Sequence, residues 1–122
     1  MPLQVLRNVI VVTVQTDLNV SFLERMNEVV LTKVQEAKLR WVILDLSGMD
    51  VIDDDELKQL TKIRDKLKLM GTGTIFAGLK PHVIVALDTL GTDFTGLKAA
   101  RDLDQALLLT STREPRAAGK AT

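Results

Sequence analysis

The sequence predicts an α/β fold, a mixed and mainly parallel sheet of four to five strands flanked by about four helices. Three observations predict it. Short β-branched runs alternate with stretches of helical period, Gly or capping residues bound the helical stretches, and only two residues separate the first two strands. Strands separated by helices need crossover connections and therefore lie parallel, whereas a two-residue connection makes the opening pair antiparallel. A chain of 122 residues holds one domain of ordinary size.

The elements follow in order. LQVL at Leu3 to Leu6 and VIVVTV at Val9 to Val14 flank Arg7-Asn8 as a hairpin, the second run apolar enough to be buried on both faces. Leu23, Met26, Val30, Val34 and Ala37 recur at steps of three and four residues and mark a helix, with Ser21 and Glu24 expected as its capping box. WVILDL at Trp41 to Leu46 is a buried strand closed by Ser47-Gly48. Leu57, Leu60, Ile63, Leu67 and Met70 mark a second amphipathic helix that stops at Gly71, with Lys66 and Lys68 before it. GTIFA at Gly73 to Ala77 is the next strand. Pro81 then opens a helix carrying Val83, Ala86, Leu87 and Leu90 to a stop at Gly91. A short edge strand is expected around Phe94 to Leu97, and a last helix over Asp102 to Leu109 with Leu103, Ala106 and Leu107 inward. Residues 1–110 are expected to form the domain, and 111–122, without periodicity, a flexible tail.

Composition narrows the function classes. Lys plus Arg is 16 and Asp plus Glu is 16, so no global field favours nucleic acid or an anionic membrane. The absence of Cys removes thiol nucleophiles, thiolate metal sites and disulfides, and suits a cytoplasmic location. The start MPLQVLRN lacks the basic-then-apolar order of a signal peptide, and no run approaches the ~20 apolar residues of a membrane span.

The densest chemistry is Asp50-Val51-Ile52-Asp53-Asp54-Asp55-Glu56, placed between a buried strand and a helix. Helix-start physics accounts for most of it. Asp53 is the expected N-cap and Glu56 its capping-box partner, while Ile52 and Leu57 occupy the two positions of a hydrophobic staple. Asp54 and Asp55 then sit in the first turn, where the helix dipole favours carboxylates by about 0.3–1 kcal/mol each. A receiver-like Mg²⁺ site is the enzyme-like alternative. It needs an acidic pair after the first strand, and VIVVTVQTDLN supplies only Asp17, several residues late.

The run VILDLSGMDVIDDDELKQL, then KLMGTGTIFAGLKPHVIVALDTLG, then DLDQAL, resembles the STAS domain of anti-anti-sigma factors and of stressosome scaffold subunits, the RsbS type above all. The similarity spans about residues 3 to 110 and rests on DLS…D.ID at the strand-to-helix junction and on the turn Gly78-Leu79-Lys80-Pro81. It implies a non-enzymatic signalling scaffold without a cofactor. Its implied partners are a sensor-bearing STAS paralogue of the RsbR type, a switch Ser/Thr kinase of the RsbT type, and further copies in a homo-oligomer or larger assembly. The kinase of such proteins modifies a Ser or Thr after an I/M-D pair. Here that pair is Ile52-Asp53, so Asp54 holds the acceptor position, as a natural variant or an engineered phosphomimic. Asp50, Asp53, Asp54, Asp55, Leu57 and Lys58 are the implied partner-binding residues. A carboxylate carries about −1, against about −1.5 to −2 for a phosphoserine. The second acceptor position of the larger subunits falls near Val20, where no hydroxyl stands, which fits the small scaffold type, as does the absence of a sensor domain. A stand-alone anti-anti-sigma factor is the alternative within the family.

The remaining features have structural readings. Gly71-Thr72-Gly73-Thr74 runs from helix to strand, the wrong order for a phosphate loop. His82 has no neighbouring nucleophile in the sequence to serve as its base. Lys62, Arg64, Lys66 and Lys68 read as a solvated helix face, and Trp41 as a packing residue.

Overall fold

The computed structural model describes residues 3–14, 20–92 and 97–112. Strands β1 (Leu3–Leu6), β2 (Val9–Thr13), β3 (Trp41–Asp45), β4 (Gly73–Ala77) and β5 (Ala99–Ala100) form one sheet in the order β1-β2-β3-β4-β5. Helices α1 (Val20–Ala37), α2 (Asp54–Leu69) and α3 (Pro81–Thr89) connect the strands from β2 onward, and α4 (Leu103–Thr112) follows the last strand. The hairpin β1–β2 is antiparallel and every later pairing is parallel. Arg7 takes φ 56° to turn the hairpin.

Three successive parallel crossovers that step the same way across a sheet must place their helices on one face if each is right-handed. Accordingly Ile10, Val12, Val42, Leu44 and Phe76 point toward α1, α2 and α3, where they meet Met26, Val30, Leu60, Ile63, Val83 and Leu87. The alternate residues Val9, Val11, Trp41, Ile43 and Ile75 point the other way and are covered by α4 through Leu103, Ala106 and Leu107. Both faces of the central strands are thus buried, which is why their sequences run continuously apolar. Trp41 is 1% exposed, a packing residue, with the Lys98 ammonium 5.0 Å from its ring centroid.

Several boundaries differ from the sequence expectation. Ser21 lies inside α1, which already begins at Val20, so the Ser21–Glu24 capping box does not form. Of the expected 94–97, residues 94–96 lie outside the described residues and Leu97 is not in a strand; the edge strand among the described residues is Ala99–Ala100. It is placed by pairing with Phe76 and Ala77 of β4, a constraint absent from the local sequence. Ala37 and Ala86 are exposed, and Met70 and Leu90 are 44% and 61% exposed because each is the C-cap of its helix, beyond the last inward turn. Helix α4 continues to Thr112, past the boundary set at 110, and the rest of the expected tail lies outside the described residues.

Two glycines end helices as a left-handed residue must. The Gly71 and Thr72 N–H groups donate to the Lys68 and Leu67 carbonyls, with Gly71 at φ 80°, and Gly91 and Thr92 repeat the pattern on Asp88 and Leu87, with Gly91 at φ 79°. The Gly-rich run after α2 is therefore a helix stop.

Candidate functional site at the start of helix α2

The loop between β3 and α2 is built by local bonds. Asp45 accepts from the Ser47 N–H at 3.0 Å, and the Met49 N–H closes a turn on the Leu46 carbonyl at 3.0 Å. Asp53 then caps α2: its carboxylate accepts from the Glu56 N–H at 2.7 Å, while Glu56 accepts from the Asp53 N–H at 3.0 Å. Ile52 and Leu57 are each 3% exposed and join the same core cluster, completing the staple. The expected helix start is therefore realised bond by bond.

The loop after β4 meets this one side by side. The Leu46 N–H donates to the Ala77 carbonyl at 2.8 Å, and a Cβ on Gly78 would lie 2.9 Å from Ser47 Cβ, so only glycine, at φ 76°, lets the two loops touch. This contact brings α3 to the acidic loop at both ends. Near its start the Lys80 ammonium binds the Asp50 carboxylate and His82 Nε2 donates to the Asp50 carbonyl at 2.8 Å; past its end the Thr92 hydroxyl donates to Asp54 Oδ1 at 3.2 Å. The Lys80 hydrogen bond, reinforced by its charge, holds the Asp50 carboxyl below its ordinary value of 3.8.

Asp54 is the first residue of α2, and its side chain is 40% exposed. Besides Thr92 it has Lys58 at 3.2 Å, one turn along the helix. The carboxylate thus stands at the surface, held on one side by a cation and on the other by a hydroxyl. Asp50, Asp53, Asp55 and Lys58 are exposed around it. Leu57 corrects the expectation: its side chain lies in the core under the helix start and has no surface to offer a partner. Lys80 and Thr92 are the members that sequence reasoning missed; they lie 30 and 38 residues from their partners, and only Lys80 stood within a noticed motif. Among the described residues no group of three or more His, Cys, Asp or Glu is placed to share a metal ion, and Asp17 lies outside them.

Comparison with known proteins gives the arrangement its context. The family model described as "STAS domain" matches residues 1–106. The RsbT co-antagonist protein RsbRD of Bacillus subtilis (strain 168) is 35% identical over 80 residues, which are 66% of this chain but only 29% of that protein. The chain thus spans about three-tenths of that relative. Among solved structures, a serine-to-glutamate variant of Moorella thermoacetica RsbS superposes with a TM-score of 0.78 at 23% identity, over 90% of this chain and 93% of that one. A chain from the molecular architecture of the stressosome, described as a signal integration and transduction hub, superposes with a TM-score of 0.74 at 21% identity, over 90% and 96%. At these identities the superpositions speak for the fold. The opening hairpin and the family match together replace the receiver-like alternative. No helix among the described residues is long and apolar enough to cross a membrane.

Proposed function

Since the chain belongs to the STAS domain family, we propose that it is a non-catalytic subunit of a cytoplasmic stress-signalling assembly of the stressosome kind, and that the start of α2 is the surface a switch Ser/Thr kinase of the RsbT type reads. The observation that carries this reading is the half-exposed Asp54 carboxylate on the first residue of α2, the position that the family resemblance assigns to the modifiable hydroxyl. RsbRD is named as an RsbT co-antagonist, which supports a kinase of that type and a sensor-bearing STAS paralogue as the partners.

The mechanism is a charge gate. A neutral hydroxyl at position 54 can be covered by a docking protein at little cost. A carboxylate must be desolvated, and an isolated buried charge costs several kcal/mol, of which ~3 kcal/mol already weakens binding more than a hundredfold. Lys58 and the Thr92 hydroxyl partly compensate Asp54 before any partner arrives. The gate therefore closes by less than an isolated charge would impose, and Asp54 biases the subunit toward release of the kinase. Asp50, Asp53, Asp55 and Lys58 form the rim of the docking surface, while Leu57 holds it from beneath.

Calorimetric titration of an RsbT-type kinase into the wild-type chain and into Asp54→Ser tests the gate. At least tenfold tighter binding by the serine variant is expected, and equal affinities refute the reading. Sedimentation with a sensor-bearing STAS paralogue tests the scaffold: a large mixed assembly is expected, and a persistent mixture of small species removes it.

A further inference from the structure

The far end of α2 carries a surface that the proposed docking site does not use. Leu69 and Met70 close the helix 80% and 44% exposed, next to Lys66 and Lys68. Backbone bonds gather further cations at the same end of the sheet. The Arg40 N–H donates to the Asn8 carbonyl at 2.8 Å and the Gly73 N–H to the Arg40 carbonyl at 3.0 Å, so the hairpin turn with Arg7, the connection after α1 with Lys38 and the chain that leaves α2 for β4 lie at the same end of the sheet. Arg7, Lys38, Lys66 and Lys68 are exposed, and none forms an ion pair with a described residue. Glu36 is the acid of the last α1 turn. Compensation of the helix dipole accounts for Lys66 and Lys68, but neither for Arg7 nor for two large apolar side chains in water.

The chemical complement of this tip lies on the same molecule. Sixteen helical residues, about 24 Å of rise, separate it from the loop of Asp50, Asp53 and Asp55, where Val51 is 75% exposed. The formal net charge of the chain is +0, yet charge is unevenly placed: the exposed cations Arg7, Lys38, Lys66 and Lys68 outnumber Glu36 and Asp65 toward the tip, and Asp50, Asp53, Asp54, Asp55 and Glu56 outnumber Lys58 and Lys80 around Val51. We propose that a second copy of this chain is the occupant of the Leu69–Met70 tip, docking its acidic Val51 loop there head to tail. Such a contact is heterologous, so it leaves a free surface at each end and propagates. It does not depend on the kinase reading, although it would cover Asp54 and so compete with any kinase at that loop.

Sedimentation velocity of the full chain, with circular dichroism as the folding control, tests this. At low ionic strength the sedimentation coefficient should rise with protein concentration, and it should return to the monomer value near 1 M salt, where the screening length falls to about 3 Å. The double variants Lys66→Glu/Lys68→Glu and Asp50→Lys/Asp55→Lys should each stay monomeric alone, while an equimolar mixture of the two should associate again. A monomeric wild type at every concentration overturns the proposal, as do association that survives either charge reversal and a mixture that stays monomeric. Wild type that remains monomeric but co-sediments with phosphatidylglycerol vesicles also overturns it, assigning the tip to lipid. Kinase titration into the two monomeric variants reads the docking site separately, since only Asp50→Lys/Asp55→Lys alters its rim.

Discussion

Helices α2 and α3 both leave the same end of the sheet and both open beside the acidic loop, but they are started by different forces. Helix α2 begins with a complete capping box, three acids in its first turn and a staple driven into the core. Helix α3 begins at Lys80, which makes no side-chain capping bond, and relies on Pro81 for its first turn. What positions α3 is tertiary: Gly78 against Ser47, and Lys80 and His82 against Asp50. The residue that carries the proposed function thus rides on the self-sufficient helix start, and its surroundings are supplied by the dependent one.

Removing the staple tests the platform most severely. Leu57→Ala should lower unfolding free energy by about 2–5 kcal/mol, because a buried leucine leaves a cavity the core cannot fully close; urea unfolding measures it. A loss below 1 kcal/mol would mean that α2 is held by its cap alone. The junction between the two helix starts comes next. Gly78→Ala combines a forbidden backbone conformation with a 2.9 Å approach to Ser47, so it should cost more than about 1 kcal/mol and disturb the NMR signals of Asp50 and His82 before those of α2. Asp53→Ala should cost about 1 kcal/mol through loss of the cap, whereas Lys80→Ala should change stability less while loosening α3, seen as faster amide exchange in its first turn. Equal protection in the two variants would erase the difference between the helices.

The smallest effect is electrostatic. The folded-state pKa of Asp50 is depressed, so its ion pair with Lys80 contributes above the ordinary value of 3.8 and is lost as pH falls below it. Carboxyl titration by NMR should show the Asp50 midpoint below 3.8 in the wild type and returned toward it in Lys80→Gln. An unchanged midpoint would show that the contact does not persist in solution.

What could be read along the chain tracks how local each interaction is. The capping box joins residues three apart, so Asp53 and Glu56 announce it; Gly71 and Gly91 announce their helix stops in the same way. The pattern failed at Ser21, since a Ser-x-x-Glu string fits any register near a helix start and the α1 packing begins the helix at Val20. The strand Ala99–Ala100 was not legible in the sequence, since its two residues have no period of their own and follow Phe76 and Ala77. The acidic loop was visible as charge, but Lys80 and Thr92 were not visible as its partners. Their separations of 30 and 38 residues have meaning only once β3 and β4 lie in register and their loops touch.

Apolar period, caps and the order of strands and helices were enough to establish the architecture, the inward faces of α1 and α2, and the placing of Asp54 at the head of a helix, because each of these is settled by neighbours within one or two turns. The half-burial of Asp54 between Lys58 and Thr92, the withdrawal of Leu57 into the core, and the gathering of cations around Leu69 and Met70 came only with the packed molecule. These arrangements join segments distant in the chain, and no local preference encodes which distant segments the sheet will bring together.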